Sequence, residues 1–497
     1  MSQPQQSLPR VLGPWLGAAI VVGTVIGSGV FKKARNVAEN VPEFGLAISV
    51  WVLGGLLALL GALALAEVAV LYPRAGGNYV FLREGYGRMA GFLWGWVEFW
   101  IIRSASIAAL ATMFTESFHD ILKDSLAPAS PGVEVLTFWP RQLLTSLIIA
   151  ALAAVNVRGT RLGAGVQLAI TLVKVGSLLF IIVLPFAVLA AVAEPQYPPK
   201  VEYFSPTWPA SLAGVNLGLY GAALVGVLWA YNGWMNIAAM AGEVKNPQRN
   251  IPRSLLGGIA LLIALYCGAN LAYYLVIPRD QMKELTNTTV ATEFCFRLLG
   301  PIGGLIASAI VMTSVFGALN GNLLAGPRVL FAMGHDGLAP RKLQELHPRF
   351  ATPMNATYVL AAWSCVLVFA VGALTQPEYR LPVIPLGFTD LDLNLPKGKA
   401  PFDVVTDFAM FGAVAFETLA VASIFVFRWR IPPTPENRPY RCWGYPVVPA
   451  IYILIMAAVF ANMFVTEEQR SEAQIGLGFI GIGVVVYLVR FRGGRRL

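Results

Sequence analysis

Apolar residues gather along the chain in twelve long runs separated by polar or Pro-rich stretches. The runs lie near 13–38, 45–71, 89–117, 139–156, 162–192, 213–241, 252–277, 301–332, 354–375, 404–428, 447–465 and 474–490. A bilayer core of about 30 Å needs ~20 apolar residues per helix. The pattern therefore predicts an all-α polytopic membrane protein with about twelve transmembrane helices in a lipid bilayer. The first run does not read as a cleaved signal peptide: one basic residue, Arg10, precedes it, and it continues well past a short apolar core. Residues 377–403, between the ninth and tenth runs, are rich in Pro and Asp and show no apolar core of their own. They read as a long extracellular loop.

Composition narrows the class. Hydrophobic residues make up 57% of the 497 positions and charged ones 13%. A soluble domain runs near ~25% charged, so an ordinary soluble enzyme is excluded. A disordered chain is excluded as well, because it needs low hydrophobicity. The 48 Gly and 33 Pro fall largely among apolar runs, where broken and closely packed helices are tolerated. The net charge of +9 is a topology signal. Lys and Arg concentrate in the loops on the side of the N-terminus and Asp and Glu in those opposite, which places both termini in the cytoplasm. The basic residues are dispersed, so no nucleic acid partner is implied.

Cys267, Cys295, Cys365 and Cys442 are scattered and show no metal spacing. His119, His335 and His347 fall in loops or at span ends. No H-x-x-x-H or Walker-type sequence occurs, and Gly27-Ser28-Gly29 lacks the third glycine of a dinucleotide fingerprint. No cofactor, metal centre or enzymatic constellation is expected.

Two runs are interrupted. The first reads Gly23-Thr24-Val25-Ile26-Gly27-Ser28-Gly29-Val30-Phe31. Each Gly costs about 1 kcal/mol of helix propensity relative to Ala. Gly23 and Gly27 form a G-x-x-x-G pair suited to close packing. The alternative is an unwound break, which offers N–H groups to a carboxylate and C=O groups to an ammonium. The sixth run reads Leu228-Trp229-Ala230-Tyr231-Asn232-Gly233-Trp234-Met235-Asn236, with a turn-forming Asn-Gly pair at its middle. The interruptions are five spans apart, so the two halves run in opposite directions. Paired interruptions of this kind point to an inverted-repeat transporter; two unrelated kinks are the bland alternative.

Further motifs are Tyr72-Pro-Arg-Ala-Gly-Gly-Asn-Tyr79, Trp96-Val-Glu-Phe-Trp-Ile-Ile-Arg103, Glu243-Val-Lys-Asn-Pro247 and Phe316-Gly-Ala-Leu-Asn-Gly-Asn-Leu323. With the first-span segment, their order resembles the amino acid–polyamine–organocation (APC) superfamily, L-type amino acid transporter branch, and most nearly its bacterial serine/threonine exchangers. The resemblance covers about residues 11–355. It implies a LeuT-type fold of five-plus-five inverted repeats, with residues 1–192 as the first repeat, 213–428 as the second, and two additional helices in 447–490. It implies that the substrate carboxylate meets the amides of Gly27, Ser28 and Gly29. The α-ammonium would meet carbonyls at Thr24, Val25, Trp229, Ala230 and Asn232, with Trp229 as an aromatic outer gate. Asn232 departs from the Gly of many members, and Met235 from a polar residue of some animal members. Animal members bond a heavy chain through a cysteine between spans three and four. Residues 118–139 contain none, so no disulfide-linked heavy chain is expected.

Charges inside the runs are costly and functional by default. Lys174 lies near the middle of the fifth span, and the resemblance places it against the unwound part of the first, where sodium-coupled relatives hold a cation. Bracing spans one and eight is its structural alternative. Glu98 and Arg103 are five apart, a spacing that does not stack two side chains on an α-helix. Each is expected to find a partner elsewhere in the bundle. Glu67 and Glu417 have no evident partner. Glu243, beside Lys245, reads as an inner-gate or structural residue. No acidic or basic side chain is evident around the break segments, which favours small neutral L-amino acids as substrates. The function expected is sodium-independent exchange across a bacterial inner membrane. Uniport and proton symport are the alternatives within transport, and a channel, a membrane enzyme and a transporter-like sensor are the competing classes.

Overall fold

The computed structural model describes residues 8–126, 135–211, 214–285, 288–374, 384–385, 390–391, 401–434 and 436–491. Eleven helical stretches in it are long and apolar enough to cross a membrane. The twelfth crossing is the sixth run, which is not one helix. Its first part, Leu217–Tyr231, is too short to span alone, and it resumes as Asn236–Ala239 and a 3₁₀ turn, Ala241–Glu243. Gly233 sits in the gap at φ +105°, a conformation that only glycine adopts without strain. The first run is likewise split, into Pro14–Val25 and Gly29–Asn40. Both interruptions are therefore unwound breaks. The G-x-x-x-G pair coexists with one of them: a Cβ on Gly23 would lie 2.0 Å from Thr171 Oγ1 of the fifth span.

The inner half of the first span packs on the fifth, seventh and eighth spans, and the eighth packs on the third. The two broken spans thus sit at the centre of the bundle. Leu143, Leu147, Leu172, Val173, Val183 and Phe186 of spans four and five remain exposed, as a lipid-facing surface requires. Two short helices, Asn78–Tyr86 and Val290–Leu299, escaped the hydropathy pattern. They are too short and too polar to register as spans. Of the segment 377–403, the described residues are a two-residue antiparallel pairing of Ile384–Pro385 with Asp390–Leu391 and the start of the helix Pro401–Arg430.

The third span departs from expectation. Between Arg88–Val97 and Ser104–Leu126 it passes through a π-helical turn, Glu98–Arg103. A π-turn bonds i to i+5, so residues five apart fall on one face. Arg103 Nε and Nη2 donate to Glu98 Oε1 at 2.8 and 2.5 Å. The two charges therefore pair with each other, because the helix there is not α.

Glu67 also has partners. Arg428 Nε and Nη2 donate to its two oxygens at 3.0 and 2.6 Å, Arg438 Nη1 donates at 2.7 Å, and the Cys442 amide donates at 2.7 Å. This cluster ties the second span to the tenth and to the segment after it. Burial pushes the Cys442 thiol up to about 12, so it stays protonated at neutral pH. All four cysteines are unpaired.

Removing one member of a buried ion cluster leaves an uncompensated charge, at a cost of about 3–5 kcal/mol. Glu67→Ala is expected to lower the thermal unfolding midpoint of the detergent-purified protein correspondingly. An unchanged midpoint would contradict the role given to this cluster.

Candidate functional site

The two breaks face each other. In the first span, Ile26 takes extended backbone angles and Ser28 returns to helical ones. The outer half-helix starting at Gly29 leaves its first N–H groups without intrahelical acceptors. The carbonyls at the other side of the break are met by side chains. Lys174 Nζ donates to Gly23 O at 2.7 Å and to Ile26 O at 2.5 Å. Ser314 Oγ of the eighth span reaches Gly27 O at 3.0 Å and Ile26 O at 3.3 Å. The Tyr266 hydroxyl of the seventh span lies 3.0 Å from Val25 O and 3.1 Å from Ala230 O. A single phenol thus joins the carbonyl ends of both broken helices.

Between the breaks lies a small cavity of about 30 Å³, room for one or two waters. Thr24, Val25, Gly27, Ser28, Gly29, Trp229 and Asn232 line it, together with Ser106, Leu110, Gly233, Ala318 and Asn322. Trp229 Nε1 donates to Ser28 Oγ at 3.4 Å across it. Seven of the eight residues expected to touch substrate therefore share one cavity. Ala230 does not line it. Ala230 packs on Gly29 so closely that a Cβ there would fall 2.4 Å from Ala230 Cα. Lys174 is buried behind the first-span break, and Gly317 leaves room for it: a Cβ there would lie 2.6 Å from Lys174 Cε.

Glu243 is remote from the cavity. Its carboxylate, wholly buried, takes Arg328 Nε at 2.8 Å and Nη2 at 3.2 Å. Its carbonyl accepts from the Leu12 amide at 2.9 Å, and the Lys245 amide donates back to Leu12 O at 2.8 Å. The segment before the first span is thereby pinned to the end of the sixth. The Gly-Gly-Asn motif packs on the same half-helix: the Gly76 amide donates to Ala239 O at 2.9 Å.

Tyr266, Ser314, Asn322 and Arg328 were not singled out by sequence. The polar tips of Tyr266 and Ser314 in mid-span were the available signal, since such groups need partners in lipid. Asn322 belongs to the eighth-span motif, and Arg103 Nη1 donates to its Oδ1. An acidic side chain does approach the breaks, contrary to the sequence expectation. Glu417 Oε1 of the tenth span accepts from Asn232 Nδ2 at 3.2 Å.

The sequence pattern of the amino acid permease family matches residues 12–487. The chain belongs to the amino acid permease family. This permease is 28% identical to the serine/threonine exchanger SteT of Bacillus subtilis over 491 residues, which cover 97% of it and 98% of that protein. It is 27% identical to the rabbit (Oryctolagus cuniculus) large neutral amino acids transporter small subunit 2 over 483 residues, 97% of this permease and 81% of the relative. The human cystine/glutamate transporter matches at 26% over 478 residues, 96% and 84% of the two chains. The permease is thus a multi-pass membrane protein of an amino acid transporter family, as its motifs implied.

A side chain on Gly29 would force the two broken helices apart, and overpacking of this kind costs about 1–3 kcal/mol. Gly29→Val is expected to insert in the membrane but to lose the thermal stabilisation that amino acids give the wild type. Stabilisation retained in the mutant would remove Gly29 from the site.

Proposed function

We propose that this permease exchanges small neutral L-amino acids, of the serine, threonine and alanine type, across a bacterial inner membrane without sodium. Both termini lie in the cytoplasm in this reading. The observation that carries it is the cavity between the breaks: it is small, and no charged side chain lines it. A charged substrate side chain would be buried there without a partner, at high cost. The relative named a serine/threonine exchanger, similar over nearly its whole length, supports the same choice.

The substrate carboxylate is taken up by the amides of Gly27, Ser28 and Gly29 at the start of a helix, where the dipole favours an anion. The ammonium is taken up by carbonyls among Thr24, Val25, Trp229, Ala230 and Asn232. Tyr266 already engages Val25 O and Ala230 O, each of which keeps a second lone pair. Its hydroxyl holds the two carbonyl ends in register for the substrate. Trp229 closes the cavity from the outer side.

When protonated, Lys174 supplies a positive charge at the carbonyls of Gly23 and Ile26. A sodium ion ~4 Å away would meet a repulsion of ~4 kcal/mol at an effective dielectric of ~20, about a thousandfold loss of affinity. Movement of the first span during alternating access must carry these two bonds with it. Glu243 and Arg328 hold the inner end of the sixth span shut against the segment before the first.

Reconstitution of the single purified chain in liposomes tests the reading. Uptake of labelled serine is expected to need internal substrate, to proceed equally with and without sodium, and to be competed by threonine and alanine. Arginine, glutamate and polyamines should not compete. Lys174→Ala should keep binding but lose turnover by tenfold or more, roughly the effect of one buried charge contact. Strict sodium dependence, competition by charged substrates, or a requirement for a second subunit would overturn the corresponding part.

A further inference from the structure

Next to the central cavity lie two further cavities of about 20 Å³ each. Asn232 and Glu417 line both, and Asn232 also lines the central one. One of them is polar: Glu98, Arg103, Asn78 and Asn236 surround it. Glu98 Oε2, Asn78 Oδ1 and Asn236 Nδ2 are buried there without a hydrogen-bond partner, on residues only 2%, 5% and 3% exposed. Such atoms require a water, and the space admits one.

The polar cavity holds two carboxyls, Glu417 itself and Glu98, and one guanidinium, Arg103. Arg103 spends Nε and Nη2 on Glu98 and Nη1 on Asn322. Among the described residues lining the two cavities, no second cation faces Glu417. Tyr231 of the sixth span and Tyr452 of the eleventh are the other titratable groups beside it, and the second span offers Leu57 and Ala58. The short helix before the third span brings Asn78. The twelfth span meets the tenth at Gly476 and Phe411, more than one turn away. The next acid along the third span is Glu116, more than three turns past Arg103.

A large vestibule of about 820 Å³ is lined by Ala75 and Gly242, and their near neighbours in the chain, Gly76 and Ala239, line the polar cavity. The vestibule opens beside Arg10, Arg74, Arg83 and His335.

We propose that Glu417 is a proton-binding site, supplied from this vestibule and linked to the amino acid pocket through the Asn232 side chain. A hydronium ion gives its proton to a Glu417 carboxylate oxygen, forming an O–H bond and leaving water. The bond from Asn232 Nδ2, charge-assisted while Glu417 is ionised, then weakens and frees the amide toward the central cavity. Release of the proton to water reverses the step. Proton binding and amino acid binding are thereby reciprocal. The link to substrate rests on the reading of the central cavity as the amino acid pocket.

Two measurements on purified full-length protein test this. Infrared difference spectra between mildly acidic and mildly alkaline buffer should show a carboxylic acid band in the wild type. The band should be absent in Glu417→Gln and present, displaced, in Glu417→Asp. Serine affinity, read by ligand-dependent thermal stabilisation, should vary with pH in the wild type, at most about tenfold per pH unit for one linked proton. It should be flat in Glu417→Gln and pH-dependent again in Glu417→Asp. An identical band in Glu417→Gln, or an unaltered pH dependence there, overturns the proposal. Loss of the band without serine binding at any pH would uphold the proton site and overturn the pocket's assignment.

Discussion

A helix interrupted in mid-membrane exposes amide and carbonyl groups where no solvent can satisfy them. The centre of this permease is arranged around that constraint. Lys174, Ser314 and Tyr266 come from three different spans and all end on carbonyls of the first-span break. The amides on the other side of the break are left for the cavity. The asymmetry suits the gap to the substrate role proposed for it: its positive end is kept open while most of its negative end is already engaged.

Close approach is the second requirement. The breaks can share one cavity only because their helices touch, and Gly29 against Ala230 sets that distance. Gly317 does the same for the ammonium of Lys174, and Gly23 for the fifth span. The small residues of the apolar runs thus serve packing, and the polar residues serve the backbone. Neither group could do its work if the other were replaced by ordinary aliphatic side chains.

Much of this was legible in sequence because both breaks are written locally. Gly-Ser-Gly and Asn-Gly disfavour helix, so the positions of the breaks could be read locally, and the family resemblance then named seven of the twelve residues that line the cavity. The spans were legible for the same reason, since length and apolarity are local. What was not legible depends on geometry between distant segments. Glu417 is separated from Asn232 by 185 residues, and Arg328 from Glu243 by 85. No spacing rule joins them. The Glu98–Arg103 pair failed for a subtler reason. The spacing rule applied to it was that of an α-helix, and the turn that carries the pair is the one place in the third span where that rule lapses.

That π-turn has a consequence for the rest of the span. Relative to an uninterrupted α-helix it holds one residue in surplus, and one residue is about 100° of rotation and 1.5 Å of rise. Every side chain after Arg103 is therefore re-phased. Ser106 and Leu110 point into the cavity, and Thr115 meets Thr145 of the fourth span, because of a register set several residues earlier. The third span works as a spindle with a fixed offset: its two ends are each keyed to a different set of neighbours, and the surplus residue is the key between them.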